Sequence, residues 1–396
     1  MENISNQNID FKDKKILLRV DLNVPMKNGS ITELSRIEKI IPTIKLLLDK
    51  KAKIIILSHI GRPKGKFIES MSLKPISKKL ESLLNKSVLF YENIINENTL
   101  AEINEIENEP IMMLENVRFN KGEETNDIEF SKKLSNLGDI YVNDAFSCSH
   151  RSHASIDGIT KFIPSYFGLQ ISQEIEALKR ITSEIKKPVT LIIGGSKIST
   201  KINIIKNLVK KFNNIIIVGG MANTMLKHTG LNVGKSIHEA NCELLIKEIL
   251  DISKKYNCKI ICPEDVIVSK NIEGIGKNKN INQVNDDEMI LDIGQKTIFK
   301  IKKIINESNT VLWNGPAGYF ENPNFQNGTW EILETIANKT INDKIFSVAG
   351  GGETVAAINK FKKLEDLTFV STAGGAFLEY LEGKTLPGIK ALNQNV

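Results

Sequence analysis

The stretch from Val189 to His228, VTLIIGGSKISTKINIIKNLVKKFNNIIIVGGMANTMLKH, decides the architecture. Two short runs of Ile and Val, at 189–193 and 214–218, each end in a glycine pair, Gly194-Gly195 and Gly219-Gly220, and helical periodicity follows. Strands that alternate with helical segments are the mark of βα units on a parallel sheet. The alternation extends in both directions. Toward the amino end the strand runs are 15–20, 53–58, 87–91, 110–114 and 139–143, and toward the carboxyl end they are 259–262, 310–313, 344–348 and 367–370. So many strands exceed one open sheet. The expected fold class is therefore α/β, with two doubly wound, Rossmann-like parallel-sheet domains.

The expected division places one domain at 1–168, a hinge helix at 169–186 and a second domain at 187–383. The hinge is read from LQISQEIEALKRITSEI (169–185), amphipathic and without a strand on its N-terminal side. The segment 270–288 reads as a polar surface excursion.

With 396 residues, 41% hydrophobic and 25% charged, the chain has an ordinary globular balance, which excludes disorder and collagen-like repeats. Its apolar runs fall far short of the ~18 residues of a membrane span. The amino end lacks the apolar core of a secretory signal, and four cysteines without a CxxC pair read as free thiols in a reducing cytoplasm. The expected partners are small molecules, with no nucleic acid, no membrane and a monomeric state. Scattered lysines with 6% aromatics do not resemble a nucleic-acid surface.

The arginines are informative. There are six, against 47 lysines, and all six lie in the first 180 residues. In a chain so rich in lysine, an arginine marks a place where a planar fork of donors is needed. Arg36, Arg62, Arg118 and Arg151, with His59, sit at or near predicted strand ends and suit a small ligand carrying carboxylate and phosphate. Arg19 and Arg180 read instead as partners of surface acids.

In the second half the strand ends run into glycine: Gly194-Gly195-Ser196-Lys197, Gly219-Gly220, Asn314-Gly315-Pro316-Ala317-Gly318, Gly350-Gly351-Gly352-Glu353-Thr354 and Ala373-Gly374-Gly375. Glycine turns before helix N-termini let backbone N–H groups approach phosphate, so a nucleotide site is expected here. The string from Gly230 to Ser236 is not a P-loop, because position 229 is threonine and the preceding segment is helical. No G-x-G-x-x-G with a following acid supports a dinucleotide site. Cys148, His150 and His153 lack a fourth ligand for zinc and read better as an anion-binding loop.

Several strings, in order along the whole chain, resemble the phosphoglycerate kinase family: RVDLNVP (19–25), SHIGRP (58–63), LENVRF (114–119), NDAF (143–146) with His150-Arg151, GGSKISTK (194–201), WNGP (313–316), GGGET (350–354) and LPG (386–388). The resemblance implies reversible, Mg²⁺-dependent phosphoryl transfer between ATP and the carboxylate of 3-phosphoglycerate, giving 1,3-bisphosphoglycerate and ADP in glycolysis. It implies that Asp21, Asn23, Arg36, His59, Gly61, Arg62, Arg118 and Arg151 bind 3-phosphoglycerate. It places ATP/ADP among Lys197, Lys201, Gly294, Asn314, Pro316, Glu321, Gly350, Gly351, Gly352, Glu353 and Thr354, with Glu353 toward Mg²⁺. It makes Arg36, Lys197 and Lys201 catalytic, and it packs the tail 384–396 back on the first domain.

Three departures from the family pattern stand out. Glu353 replaces aspartate, Ala373 and Phe377 replace a glycine and a serine, and Gln295 replaces proline. A carboxylate is already ionised at neutral pH, so its phosphorylation needs alignment and charge neutralisation rather than a general base. The alternatives to this reading are another carboxylate kinase or a non-catalytic nucleotide-binding protein.

Overall fold

β1 (Lys15–Arg19) is buried over its last four residues, as expected for a central parallel strand covered on both faces. The computed structural model describes residues 3–5, 8–27, 29–106 and 109–394. After β1 come the small hairpin β2 (Met26–Lys27) and β3 (Ser30–Ile31), then β4 (Lys53–Leu57), β5 (Leu89–Tyr91), β6 (Ile111–Leu114), β7 (Ile140–Asn143) and β8 (Ser165–Phe167). The sheet order is β5-β6-β4-β1-β7-β8, and every pairing is parallel. Alternate residues Ile16, Leu18, Ile54, Ile56, Ile111 and Met113 enter one core cluster, following the two-residue period of strands. Each such side chain contributes roughly 1.5–3 kcal/mol on burial.

The second half repeats the plan with β9 (Val189–Ile193), β10 (Asn214–Ile217), β11 (Lys259–Ile261), β15 (Thr310–Asn314), β16 (Phe346–Gly350) and β17 (Phe369–Ser371). Their order is β11-β10-β9-β15-β16-β17, again all parallel. Between β11 and β15 the chain makes an antiparallel sheet, β13-β12-β14, from β12 (Asp265–Ser269), β13 (Lys277–Asn280) and β14 (Met289–Ile293).

Two expectations are corrected. The segment 270–288 contains β13, a paired strand rather than a plain excursion; its sequence KNKN is polar because this edge is largely exposed, so no apolar period announces it. The helix Leu169–Thr182 does have a strand before it, since β8 pairs with β7 and ends two residues earlier. Three residues, SYF, are too few to show a period.

By contacts the chain divides into Met1–Ile175 with Thr385–Val396, and Glu176–Lys384, a division that falls inside the helix Leu169–Thr182. The helix Pro387–Asn393 belongs to the first unit, where Gly388 N–H donates to the Ser149 carbonyl at 2.9 Å. Residues 395 and 396 of the expected tail lie outside the described residues. Among the described residues no helix is long and apolar enough to cross a membrane.

Candidate active site

In each unit the strand order reverses once, between β1 and β7 in the first and between β9 and β15 in the second. Open α/β sheets bind ligands outside the carboxyl ends of strands at such points. Most of the expected residues lie on segments that leave the strands of these two sheets, whereas Gly294 follows β14 of the antiparallel sheet.

In the first unit, the segment after β1 carries Asp21 and Asn23, and the helix Ser35–Asp49 carries Arg36 in its first turn. Arg36 Nη1 donates to Asp21 Oδ2 at 2.6 Å and to the Asn23 carbonyl at 3.1 Å. Asp21 Oδ2 also accepts from the Ser147 hydroxyl, and Oδ1 accepts from Asn23 N–H at 3.0 Å. The segment after β4 carries His59, Gly61 and an exposed Arg62. Gly61 has φ +63°, a left-handed conformation natural to glycine, and both its peptide groups are used. Its N–H donates to Asn23 Oδ1 at 3.0 Å and its carbonyl accepts from Arg118 Nη1 at 2.7 Å.

Arg118 is 2% exposed, and its Nε lies 3.5 Å from Glu124 Oε1. Burial, then the charges of Arg151 and Arg19, push its guanidinium below the usual range. The site is therefore a crowd of like charges in a partly desolvated place, an arrangement that an anion relieves.

Arg19 corrects the sequence reading. It is fully buried, with no surface acid as partner; Nε donates to Ser155 Oγ at 2.9 Å and Nη2 lies 3.2 Å from His59 Nδ1. Arg180 also departs from expectation, its guanidinium lying 3.7 Å over the Phe346 ring. Asp21, His59 and Cys148 offer possible metal-ligand atoms within 4.8 Å of one another. Arg19 Nη2 reaches two of them, Cys148 Sγ at 4.0 Å as well as His59, so a permanent cation already serves this cluster.

In the second unit the switch point is made of main chain. Gly194 N–H donates to the Asn314 carbonyl at 2.9 Å. A Cβ on Gly315 would lie 2.6 Å from the Gly194 carbonyl carbon, so the two turns touch only because neither residue has a side chain. Asn314 Nδ2 donates to the Gly350 carbonyl at 2.6 Å, and Thr354 Oγ1 accepts from Gly315 N–H at 2.8 Å. Thus Asn314, Gly350 and Thr354 tie three strand ends together. Gly351 and Gly352 open the helix Gly352–Lys360, with Glu353 exposed in its first turn. Lys201 Nζ donates to the Gly194 carbonyl at 2.5 Å, and burial, opposed by Glu353, pushes its pKa down to about 8. Lys197 is exposed on the same loop.

Beside these turns lies a cleft of about 340 Å³. Of the expected residues, Pro316, Glu321 and Glu353 line it. Gly294 does not; it caps the helix Gln295–Asn306. Gly219-Gly220, visible as a glycine turn but left off the expected site, does line it. Asn223 and Met289–Leu291 also line it without any sequence signal, because β14 belongs to the unforeseen antiparallel sheet.

The departures have local accounts. Gln295 is the first helical residue, where proline's missing N–H costs nothing; here that N–H donates to Asn278 Oδ1 at 3.1 Å. Phe377 is fully buried, and its ring would come within 2.6 Å of a Cβ at Gly350. Ala373 is buried, with its N–H donating to Ser371 Oγ at 3.3 Å.

Comparison with known proteins covers nearly the whole chain. The family model described as phosphoglycerate kinase matches residues 6–384. Phosphoglycerate kinase from Chelativorans sp. is 46% identical over 390 residues, covering 97% of this chain and 98% of that protein. That of Rhizobium meliloti is 44% identical over 387 residues, with 97% of each covered. The solved structure of phosphoglycerate kinase from Coxiella burnetii aligns with a TM-score of 0.91 at 39% identity, covering 99% of this chain and 98% of that one. On these grounds the chain belongs to the phosphoglycerate kinase family, whose members are carboxylate-phosphorylating kinases that use ATP/ADP with Mg²⁺.

Proposed function

We propose that the first unit binds 3-phosphoglycerate through Asp21, Asn23, Arg36, His59, Gly61, Arg62, Arg118 and Arg151, and that the second binds ATP or ADP at its glycine turns. The reaction is the reversible glycolytic transfer of a phosphoryl group between ATP and the substrate carboxylate. The observation that carries the assignment is the crowding of guanidinium groups around the buried Arg118, which an acid carrying both carboxylate and phosphate neutralises.

In the second unit, Lys197 and Lys201 supply positive charge beside the strand ends, and the helix N-terminus at Gly352 adds its partial charge. Asn314, Gly350, Gly351, Gly352 and Thr354 form the cradle, with Pro316 and Glu321 on the cleft wall and Gly294 at the cap of the helix Gln295–Asn306. Glu353 fits Mg²⁺, being an exposed hard-oxygen ligand on the cleft: it would hold the ion, whose charge would offset that of the phosphate oxygens. Arg36, Lys197 and Lys201 are the groups proposed to meet charge that develops in transfer.

In-line transfer requires nucleophile and phosphorus to approach within roughly 3–3.5 Å away from water. The helix Leu169–Thr182 is proposed as the hinge that allows this, with residues 1–168 and 187–383 as the acid-binding and nucleotide-binding parts and the tail 384–396 joined to the former. The protein is read as a cytoplasmic monomer with no nucleic-acid or membrane partner, consistent with its dispersed lysines and free cysteines. A steady-state assay with MgATP against a panel of carboxylic acids tests the whole reading. Turnover with 3-phosphoglycerate at a kcat/KM far above that of other acids is expected. Preference for another acid would make this a different carboxylate kinase, and absence of turnover with retained ATP binding would make it a non-catalytic nucleotide binder.

A further inference from the structure

Arg19 is 0% exposed, so it does not itself touch a ligand, yet it is built into a chain of buried polar groups that ends on a ring expected to touch one. Nε donates to Ser155 Oγ at 2.9 Å, Nη1 donates to the Val20 carbonyl, and Nη2 lies 3.2 Å from His59 Nδ1. Ser155 Oγ in turn donates to Glu123 Oε1 at 2.7 Å, and Ser155 N–H donates to Oε2 at 2.9 Å. Glu123 is also 0% exposed. Burial alone would raise its carboxyl, but the bond to His153, the charge of Arg19 and the bond from Ser155 outweigh that and hold it below its ordinary value.

Each link has one direction. An ionised carboxylate only accepts and a guanidinium only donates, so the serine hydroxyl accepts from Arg19 and donates to Glu123. At the other end the same rule makes His59 Nδ1 an acceptor. A neutral imidazole has one N–H, which must then sit on Nε2, a nitrogen with no hydrogen-bond partner among the described residues.

We propose that Arg19, anchored through Ser155 to Glu123, is a positioning residue that locks His59 as the neutral Nε2–H tautomer, so that His59 offers the acid substrate a directed donor without charge. This rests on the reading that His59 belongs to the 3-phosphoglycerate site. The surroundings of the ring fit it. Facing His59 are Arg19, Arg118, Arg151 and His153, with the Cys148 sulfur at 3.9 Å and the Asp21 carboxylate within 4.8 Å. Burial first, then the three arginines and His153, drive its pKa well below the usual 6.5. Cys148, pushed up chiefly by burial, stays a thiol and cannot take the place of a carboxylate. His59 then adds no charge of its own, and the guanidinium groups beside it, which do not titrate, keep theirs throughout the neutral range.

Long-range ¹⁵N–¹H correlation spectra of the full-length chain labelled in its histidines read the tautomer directly. The expected result is a His59 with protonated Nε2 and bare Nδ1, constant from about pH 5.5 to about pH 8.5, a span that brackets the ordinary pKa of ~6.5. A protonated Nδ1, or a ring that titrates inside that span, overturns the lock. Arg19→Lys cannot serve Ser155 and His59 together, so in a folded R19K protein His59 should lose its single tautomer or begin to titrate. An unchanged His59 spectrum in folded R19K overturns the role of Arg19, and if R19K does not fold the spectrum of the unaltered chain still decides.

Kinetics separate this from the site reading beneath it. His59→Gln carries an amide N–H₂ near the place of Nε2, whereas His59→Asn carries one near Nδ1. KM for 3-phosphoglycerate should rise about tenfold in H59N, the scale of one lost hydrogen bond, and clearly less in H59Q. H59N as good as H59Q, with both raised, overturns the directed donor. KM unchanged in both variants overturns the assignment of His59 to the substrate site, whatever the spectra show.

Discussion

The carboxyl ends of β1, β4, β6 and β7 and those of β9, β10, β15 and β16 are the same place in two similar sheets, yet they are built from different parts of the chain. The first site is made of side chains: guanidinium forks whose orientation is set by Asp21, by the Asn23 and Gly61 carbonyls and by a buried layer beneath. The second is made of main chain: glycine turns that touch one another, with one half-buried and one exposed lysine beside them. A small acid gives few points of contact, so each must have direction and charge. A nucleotide brings a string of phosphate oxygens that any row of N–H groups satisfies, and there the need is for close approach. The first site should therefore be intolerant of changes in side-chain shape, and the second of lost charge at the loop.

The sharpest break of this comparison is Lys197→Ala. With charge developing on the phosphoryl group, kcat should fall roughly 10²-fold or more while KM for 3-phosphoglycerate holds. Steady-state rates with each substrate varied check it, and an effect confined to KM for ATP would reduce Lys197 to a ground-state contact.

Next in size are Arg62→Lys and Arg151→Lys. Charge is kept but the fork is lost, at about 1–3 kcal/mol, so KM for 3-phosphoglycerate should rise on the order of tenfold with KM for ATP unmoved. If both constants moved together, the division into two kinds of site would be lost.

A smaller effect follows from Lys201, whose pKa burial lowers to about 8. The cation is the form present below that value and is lost as pH rises through it. Because kcat/KM reports the free enzyme, kcat/KM for ATP should drop roughly fivefold between about pH 8 and about pH 9. Lys201→Arg should flatten the profile over that range, and a limb that stays in the arginine variant would assign the titration elsewhere.

The smallest change expected is Glu353→Asp, within about twofold of the unaltered chain, because Mg²⁺ asks for one oxygen and brings its own water. Glu353→Ala should raise the Mg²⁺ concentration at half-maximal rate several-fold, as read by titrating Mg²⁺ at fixed ATP. An unchanged requirement would remove Glu353 from the metal.

What was legible before folding was whatever repeats locally. Eleven of the twelve parallel strands announce themselves through short apolar runs, and the glycine turns of the second half follow such runs, because a strand, a turn and a helix start are all set within a few residues. Scarcity exposed the arginines: six among so many lysines point to places where a fork is required. What failed locally had a reason. β8 is three residues long, β13 is polar because it lies on an exposed edge, and Met289–Leu291 reach the cleft only because β14 pairs with β12.

The sequence by itself determined the two α/β sheets, the identity of the residues at their carboxyl ends and the class of chemistry. Only the tertiary structure decided which of those residues lie open at the strand ends and which are buried beneath them. Arg19 stands in the same string as Asp21 and Asn23, and nothing local separates them. Its role follows from burial among Ser155, Glu123 and His59, which lie 136, 104 and 40 residues away and meet it only when β1, β4 and β7 come side by side. A charge in water has many partners, whereas a charge in a packed interior has only those that the fold delivers.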